Sequence, residues 1–174
     1  MIRRTLIALR DRSGVAAVEF VLLAPILATI LFGLFEGSQA ILAYMKLIDS
    51  TQTLADLVSQ QQSVSSSDID NFYSGAQAVM APYSATSLGF VISSVTYDPN
   101  TGAASVAWQD TRNATPTGSP AALATGYGSK GESVIVVQGS YGYSSLLHFI
   151  LPGSISMGQV AFSKPRQVAA IPHN

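Results

Sequence analysis

The sequence has no cysteine and only two histidines, His148 and His173. Without cysteine there are no disulfide bonds, no thiol catalysis and no cysteine-ligated metal sites. Two histidines leave little material for a zinc centre or a histidine-based catalytic triad. Charged residues make up only 11% of the chain, against about 25% in an average protein. So little positive charge argues against nucleic-acid binding, and a hydrophobic content of 48% argues against general disorder.

The few charges are unevenly distributed along the 174 residues. Residues 1–14 carry four arginines (Arg3, Arg4, Arg10 and Arg12) against one aspartate, a net charge of +3, whereas residues 15–174 have a net charge of −4. A short basic N-terminus on an otherwise acidic body is typical of a targeting segment.

A long apolar run follows the basic leader. Residues 15–35 read VAAVEFVLLAPILATILFGLF, with Glu19 as the only charged side chain. As a helix this run is about 31 Å long, enough to cross the hydrocarbon core of a bilayer. The leader arginines then keep the N-terminus cytoplasmic, and the rest of the chain is exported. Pro25 removes a backbone donor in mid-span, which predicts a helix kink.

Glu19 is an unusual residue for such a span. A carboxylate there costs about 2.5–3.5 kcal/mol on insertion scales, so it requires a partner. Val15 lies four residues earlier, on the same face of the helix. If the chain were cut after Gly14, the new amino group of Val15 would be positive at neutral pH and would pair with Glu19, within the chain or on a neighbour.

The string Gly14 to Phe20 (GVAAVEF) resembles the prepilin-peptidase site of type IV pilins, G-x-x-x-x-E-F/Y. The longer stretch RSGVAAVEFVLLAPILATILFGLFEGSQAILAY resembles the TadE-like family, the pseudopilins or minor pilins of bacterial tight-adherence (Tad) pilus systems. The positions that carry the resemblance are Gly14, Glu19, Phe20, Pro25, Gly33 and Glu36. One departure follows: relatives often have an aromatic residue, Gly and Arg after the second glutamate, where this chain has Gly37, Ser38 and Gln39.

This resemblance implies a pseudopilin that supports assembly of an adhesive pilus. Its processing site would be Gly14–Val15, and Glu19 and Phe20 would act in subunit assembly. The implied partners are inner-membrane lipid, prepilin peptidase, other pilin and pseudopilin subunits and the Tad assembly machinery. The implied location is the bacterial inner membrane, with a single span and a periplasmic C-terminal domain. Nucleic acid, a small-molecule substrate and a cofactor have no place in this interpretation.

Two alternatives from other classes remain. One is an uncleaved single-pass membrane protein whose periplasmic domain binds a partner. The other is a secreted soluble domain released after Ala40, although a signal peptide has a shorter apolar core of about 7–15 residues.

The segmentation predicts an α+β, pilin-like fold. It consists of a leader (1–14), a transmembrane helix (15–36), an amphipathic continuation of that helix (37–62) and a periplasmic α+β domain (63–174). The continuation has apolar residues at three- and four-residue intervals and should end near the polar segment 60–67.

Within the periplasmic domain the pattern predicts a short helix followed by an antiparallel sheet of about four strands. The string Ser67-Asp68-Ile69-Asp70 predicts the helix start, with Asp70 as the capping acid. The strand candidates lie at 90–97, 104–109, 133–143 and 154–163. An apolar connection, Leu146–Pro152, joins the last two, and the segment 111–130 is interpreted as a mobile surface loop.

Three sequence features that could suggest catalysis or ligand binding have simpler explanations. Gly126–Gly131 matches G-x-G-x-x-G, but a strand-like run follows it where a dinucleotide site needs a helix. His148 has no second ligand at helix or strand spacing, so a metal site is not expected. Asp68 and Asp70 fit a helix start better than acid–base chemistry. The sequence therefore predicts no catalytic residues and no enzyme.

Overall fold

Three helices and four strands make up the part of the chain that the computed structural model describes, residues 13–145 and 153–174. In chain order they are α1 (Ser13–Ser59), α2 (Ser66–Val79), β1 (Gly89–Tyr97), β2 (Ala104–Arg112), α3 (Pro120–Leu123), β3 (Ser133–Ser144) and β4 (Ser154–Ser163). This is the predicted α+β layout of a long N-terminal apolar helix, a short helix and a four-stranded antiparallel sheet. The leader arginines, the connection Leu146–Pro152 and His148 within it lie outside the described residues.

Helix α1 has 47 residues and is therefore about 70 Å long. Its first half has exposed apolar side chains on all sides, whereas from Glu36 onward one face is buried against the rest of the chain. The helix continues through Pro25 without interruption and ends at Ser59, next to the polar segment where its end was predicted. We call everything after Ser59 the head.

The start of α2 differs from the prediction by two residues. Ser65, not Ser67, is the N-cap: its Oγ accepts from the Asp68 amide at 3.3 Å, and Asp68 Oδ2 accepts from the Ser65 amide at 2.9 Å. Both serines have an aspartate three residues later, so capping spacing alone does not distinguish them. Val64 and Ile69 do: they flank the Ser65 cap at the positions of a hydrophobic staple, and both are buried in the core.

The four strands form one antiparallel sheet in the order β2-β1-β3-β4. One sheet face packs against α1 and α2 to form the main core. Its largest fully buried side chains include Leu47, Leu54, Ile69, Phe90, Ile92 and Ile135. Gly139 on β3 lies directly against α1, and a Cβ added there would be 2.3 Å from Thr51 Oγ1.

The segment between β2 and β3 covers the other face of the sheet. Ala124, just after α3, is fully buried with Val95, Tyr97 and Val136, and the Tyr97 hydroxyl donates to the Ala124 carbonyl. The segment 111–130 is largely exposed, as predicted, but it is not all loop: α3 and the buried Pro120 and Ala124 cover a second, smaller core. The apolar atoms come mainly from alanine and proline, which a composition-based interpretation assigns to loops.

The C-terminal tail ties the head together at the end of α1. The Arg166 amide donates to the Ser59 carbonyl at 2.9 Å, and the Val64 amide donates to the Pro172 carbonyl at 3.0 Å. Trp108 on β2 donates its indole N–H to the Ile171 carbonyl at 2.6 Å. The tail therefore joins α1, the α1–α2 connection and the edge strand β2.

Candidate assembly site

The predicted processing and assembly residues lie together at the N-terminal end of α1. Gly14, Val15, Glu19 and Phe20 fall within its first eight residues, and all are exposed; the exposed fractions of Val15 and Phe20 are 56% and 67%. Val15 and Glu19 are one helical turn apart on one face. Among residues 13–145 and 153–174, nothing buries these side chains.

A second carboxylate, Glu36, is fully buried where the exposed half of α1 meets the head. The Tyr143 hydroxyl, near the end of β3, donates a hydrogen bond to Glu36 Oε1 at 2.8 Å. Burial, together with the hydrogen bond to Glu36 and the charge of that carboxylate, raises the pKa of Tyr143. The phenol therefore keeps its proton at neutral pH and remains a donor to Glu36.

A second tyrosine contact lies one helical turn beyond Glu36. The Tyr83 hydroxyl donates to Gln39 Oε1 at 3.0 Å, and the rings of Tyr83 and Tyr143 meet edge to face with centroids 6.4 Å apart. The Gln39 amide oxygen is an acceptor, so the Tyr83 hydroxyl is the donor in this bond.

These contacts surround a groove of about 470 Å³ between α1, the segment before β1 and the end of β3. None of the side chains that line it carries a charge. Among residues 13–145 and 153–174, no group of three or more acidic or histidine side chains is arranged to hold a metal ion.

The sequence pattern pointed to the exposed residues at the start of α1 but not to the contacts of Glu36. Glu36 was noted only through the family resemblance, and Tyr143 and Tyr83 were not predicted to meet α1. The signal available for Tyr143 was the alternation Tyr141-Gly142-Tyr143, which puts two aromatic rings on one face of a strand. The contact itself joins residues 107 positions apart, which no local pattern reveals.

A long N-terminal helix that is apolar in its first half and supports a small α+β head on its second half is the layout of a pilin-like protein. The helix Gly14–Ser59 is, by length and composition, able to cross a membrane. The model of the TadE-like protein family matches residues 14–56, which confirms the resemblance found in the sequence. The matched residues include Gly14, Glu19, the apolar run and Glu36. No curated protein and no solved structure shows significant similarity to the chain.

Proposed function

We propose that this chain is a pseudopilin, or minor pilin, of a Tad-type adhesive pilus, and that it supports pilus assembly after prepilin peptidase cuts it between Gly14 and Val15. The observation that carries the proposal is the TadE-like match over residues 14–56. The exposure of Gly14 and Val15 at the start of α1 supports it, because a peptidase needs access to the bond between them. The role is structural rather than catalytic.

The proposed mechanism moves the apolar half of α1 from lipid into a bundle of similar helices. Apolar side chains leave one apolar environment for another, so the move gains little hydrophobic free energy. Packing and polar pairing must then determine the register of the helices. Glu19 is the one charged side chain available for this within the span, and the amino group of Val15, once freed by cleavage, is its proposed partner on an adjacent subunit.

The proposed location follows from the charge distribution. The leader arginines remain on the cytoplasmic side of the inner membrane, and the head lies in the periplasm before the subunit joins or supports a surface pilus. The proposed partners are the membrane lipid, prepilin peptidase, other pilin subunits and the Tad machinery.

Intact-mass measurement of the chain from cells with and without prepilin peptidase tests this proposal. We expect loss of residues 1–14 only when the peptidase is present. An unchanged mass in both strains would overturn the proposal in favour of an uncleaved single-pass protein. Loss of residues 1–40 would instead identify a secreted domain.

A further inference from the structure

The outward face of the sheet, which points away from α1, is open at one end. Gly139 on β3 faces α1, so its neighbours Gln138 and Ser140 lie on the outward face. The segment that contains α3 covers one end of this face, around Ala124. At the other end a depression of about 420 Å³ lies between Thr117, β3 and β4. This volume is within the range of small-ligand sites, roughly 300–1,000 Å³.

A missing side chain on β4 keeps the depression open. Gly158 pairs with Ser140 of β3, so both lie on the outward face. The nearest atom to a Cβ added at Gly158 is a carbonyl oxygen at 3.9 Å, so the space above this glycine is unfilled. Hydroxyl, amide and aliphatic side chains surround it on this face: Thr117, Gln138, Ser140, Ser156 and Val160. None of the described residues that line the depression is charged.

A buried amide at the wall of the depression lacks one partner. Gln138 is only 6% exposed, although Thr117 and Ser140 beside it are exposed. Its Oε1 accepts a hydrogen bond from the Thr117 hydroxyl at 3.0 Å, whereas no described residue accepts from its Nε2. Rotation of the amide by half a turn would only exchange its two ends, so one end would still need a partner. An unpaired buried donor costs free energy, and a ligand oxygen bound to it removes that cost.

An exposed aromatic ring lies beside the depression. Phe162 follows Val160 by two residues on β4, about 7 Å further along the outward face. The Tyr127 ring stacks on Phe162, with centroids 3.9 Å apart and planes 13° from parallel. Tyr127 is nevertheless 53% exposed. The stacking therefore holds an accessible ring next to a group of hydroxyls and amides.

We propose that this depression binds a neutral saccharide, with the Gln138 amide bonded to a sugar oxygen and the Tyr127 ring packed against the apolar face of a sugar. Sugar hydroxyls both donate and accept hydrogen bonds, which matches the hydroxyls and amides of the lining. A phosphate, carboxylate or ammonium ligand would lose water here without gaining a counter-charge. The site goes beyond the proposed role in pilus assembly and requires neither cleavage at Gly14 nor the pairing of Glu19.

Binding of the full chain to a glycan array tests the site. The chain is held in lipid nanodiscs, because many detergents carry a sugar headgroup that would compete. The array presents N-acetylhexosamine chains like those of bacterial cell walls, neutral hexose oligomers like those of surface polysaccharides, and sialylated and sulfated oligosaccharides. We expect binding to at least one neutral set, inhibited by the same oligosaccharide in free form, and the set that binds identifies the source. Binding to no glycan, or to charged glycans only, would overturn the proposal.

A pair of glycine variants locates the binding. Gly158→Leu fills the depression, and the space at this glycine accepts the added Cβ without a close contact. Gly75→Leu is the matched control: it adds the same side chain at an exposed glycine of α2, on the other side of the sheet, with no atom within 4 Å of the added Cβ. We expect at least about 20-fold weaker glycan binding for Gly158→Leu and less than about a twofold change for Gly75→Leu, because only the first excludes the ligand. Equal binding by the two variants would place the glycan elsewhere and overturn the site.

Gln138→Leu tests the hydrogen bond separately from the shape of the depression. Leucine has nearly the volume of glutamine but neither a donor nor an acceptor. Within the chain the variant loses only the bond from Thr117, so we expect an unchanged circular dichroism spectrum. Glycan binding should be about fivefold to tenfold weaker, because the sugar oxygen loses its partner. Binding equal to that of the native chain would overturn the role of the unpaired amide and the site built on it.

Discussion

Two glutamates on α1 occupy opposite environments. Glu36 is fully buried and accepts a hydrogen bond from Tyr143, so the fold of one chain satisfies part of its need for donors. Glu19 is exposed within the apolar half of the helix. Because a carboxylate in lipid costs a few kcal/mol, we expect different roles for the two residues: Glu36 holds the head against α1, and Glu19 is proposed to pair with a neighbouring subunit.

Replacement of Glu19 by Gln or Ala should separate insertion from assembly. We expect membrane insertion to stay intact, since the span loses a charge that lipid disfavours. Pilus assembly should fail, because the Val15 amine would remain charged and unpaired among packed helices. Glu19→Lys should be worse than Glu19→Ala, since it places two positive charges together. Cross-linking to other pilus subunits and counts of surface pili measure this effect. Normal piliation by a processed Glu19→Ala variant would rule out an organising role for the carboxylate.

Tyr143→Phe should loosen the attachment of the head to α1. The variant keeps the ring but removes a hydrogen bond to a buried carboxylate, a loss of about 1.5–3 kcal/mol in the free energy of unfolding. Tyr83→Phe is the matched control: it removes a half-buried bond to the neutral Gln39, and the expected loss is about 0.5–1.5 kcal/mol. Urea unfolding of the full chain in detergent micelles measures both values. A Tyr143→Phe variant no less stable than Tyr83→Phe would contradict this account of Glu36.

At the scale of secondary-structure elements, the two halves of α1 have different surroundings. The first half has apolar residues all round, and the second half has a buried face against β3, β4 and α2. The approach to β3 depends on Gly139, since a Cβ there would meet buried Thr51 and also lie 3.3 Å from Leu47 Cδ1. Close contact between a helix and a sheet leaves no room for a methyl group at this point.

Gly139→Ala should therefore destabilise the head by about 1–3 kcal/mol, because overpacking forces α1 or the Thr51 side chain to move. Gly158→Ala is the control on the adjacent strand β4, where the nearest atom to the added Cβ is the Gly139 carbonyl oxygen at 3.9 Å. Chemical unfolding of the full chain, followed by tyrosine fluorescence or circular dichroism, compares them. Similar midpoints for the two variants would show that α1 adjusts without cost.

At the scale of the whole molecule, the head packs along the second half of α1 and leaves the first half exposed. The Tyr143–Glu36 contact places the end of β3 beside the exposed apolar half of α1, and the Arg166–Ser59 bond places the tail at the C-terminal end of α1. If the span lies in the inner membrane, the head stands on its outer side.

Residues 38–174 should be accessible from the periplasm, since the leader arginines precede the span and few basic residues follow it. Protease added to intact spheroplasts is expected to remove the head, while a cytoplasmic marker protein stays whole. Protection of the head until the spheroplasts are lysed would reverse the topology.

The sequence by itself determined the features that depend on local chemistry. The apolar run and the extents of the four strands follow from the order of residues, because each depends on neighbours a few positions away. The same holds for the TadE-like signature over residues 14–56.

Only the tertiary structure decided which side chains meet across long separations. Glu36 contacts Tyr143, and Gln39 contacts Tyr83. The segment around α3 packs on the second face of the sheet, because the apolar side chains there are otherwise exposed to water. The composition of the segment alone does not predict this packing. Local patterns specify helices, strands and turns, but the free energy of burial is a property of the assembled chain, and it selects among the arrangements that those patterns allow.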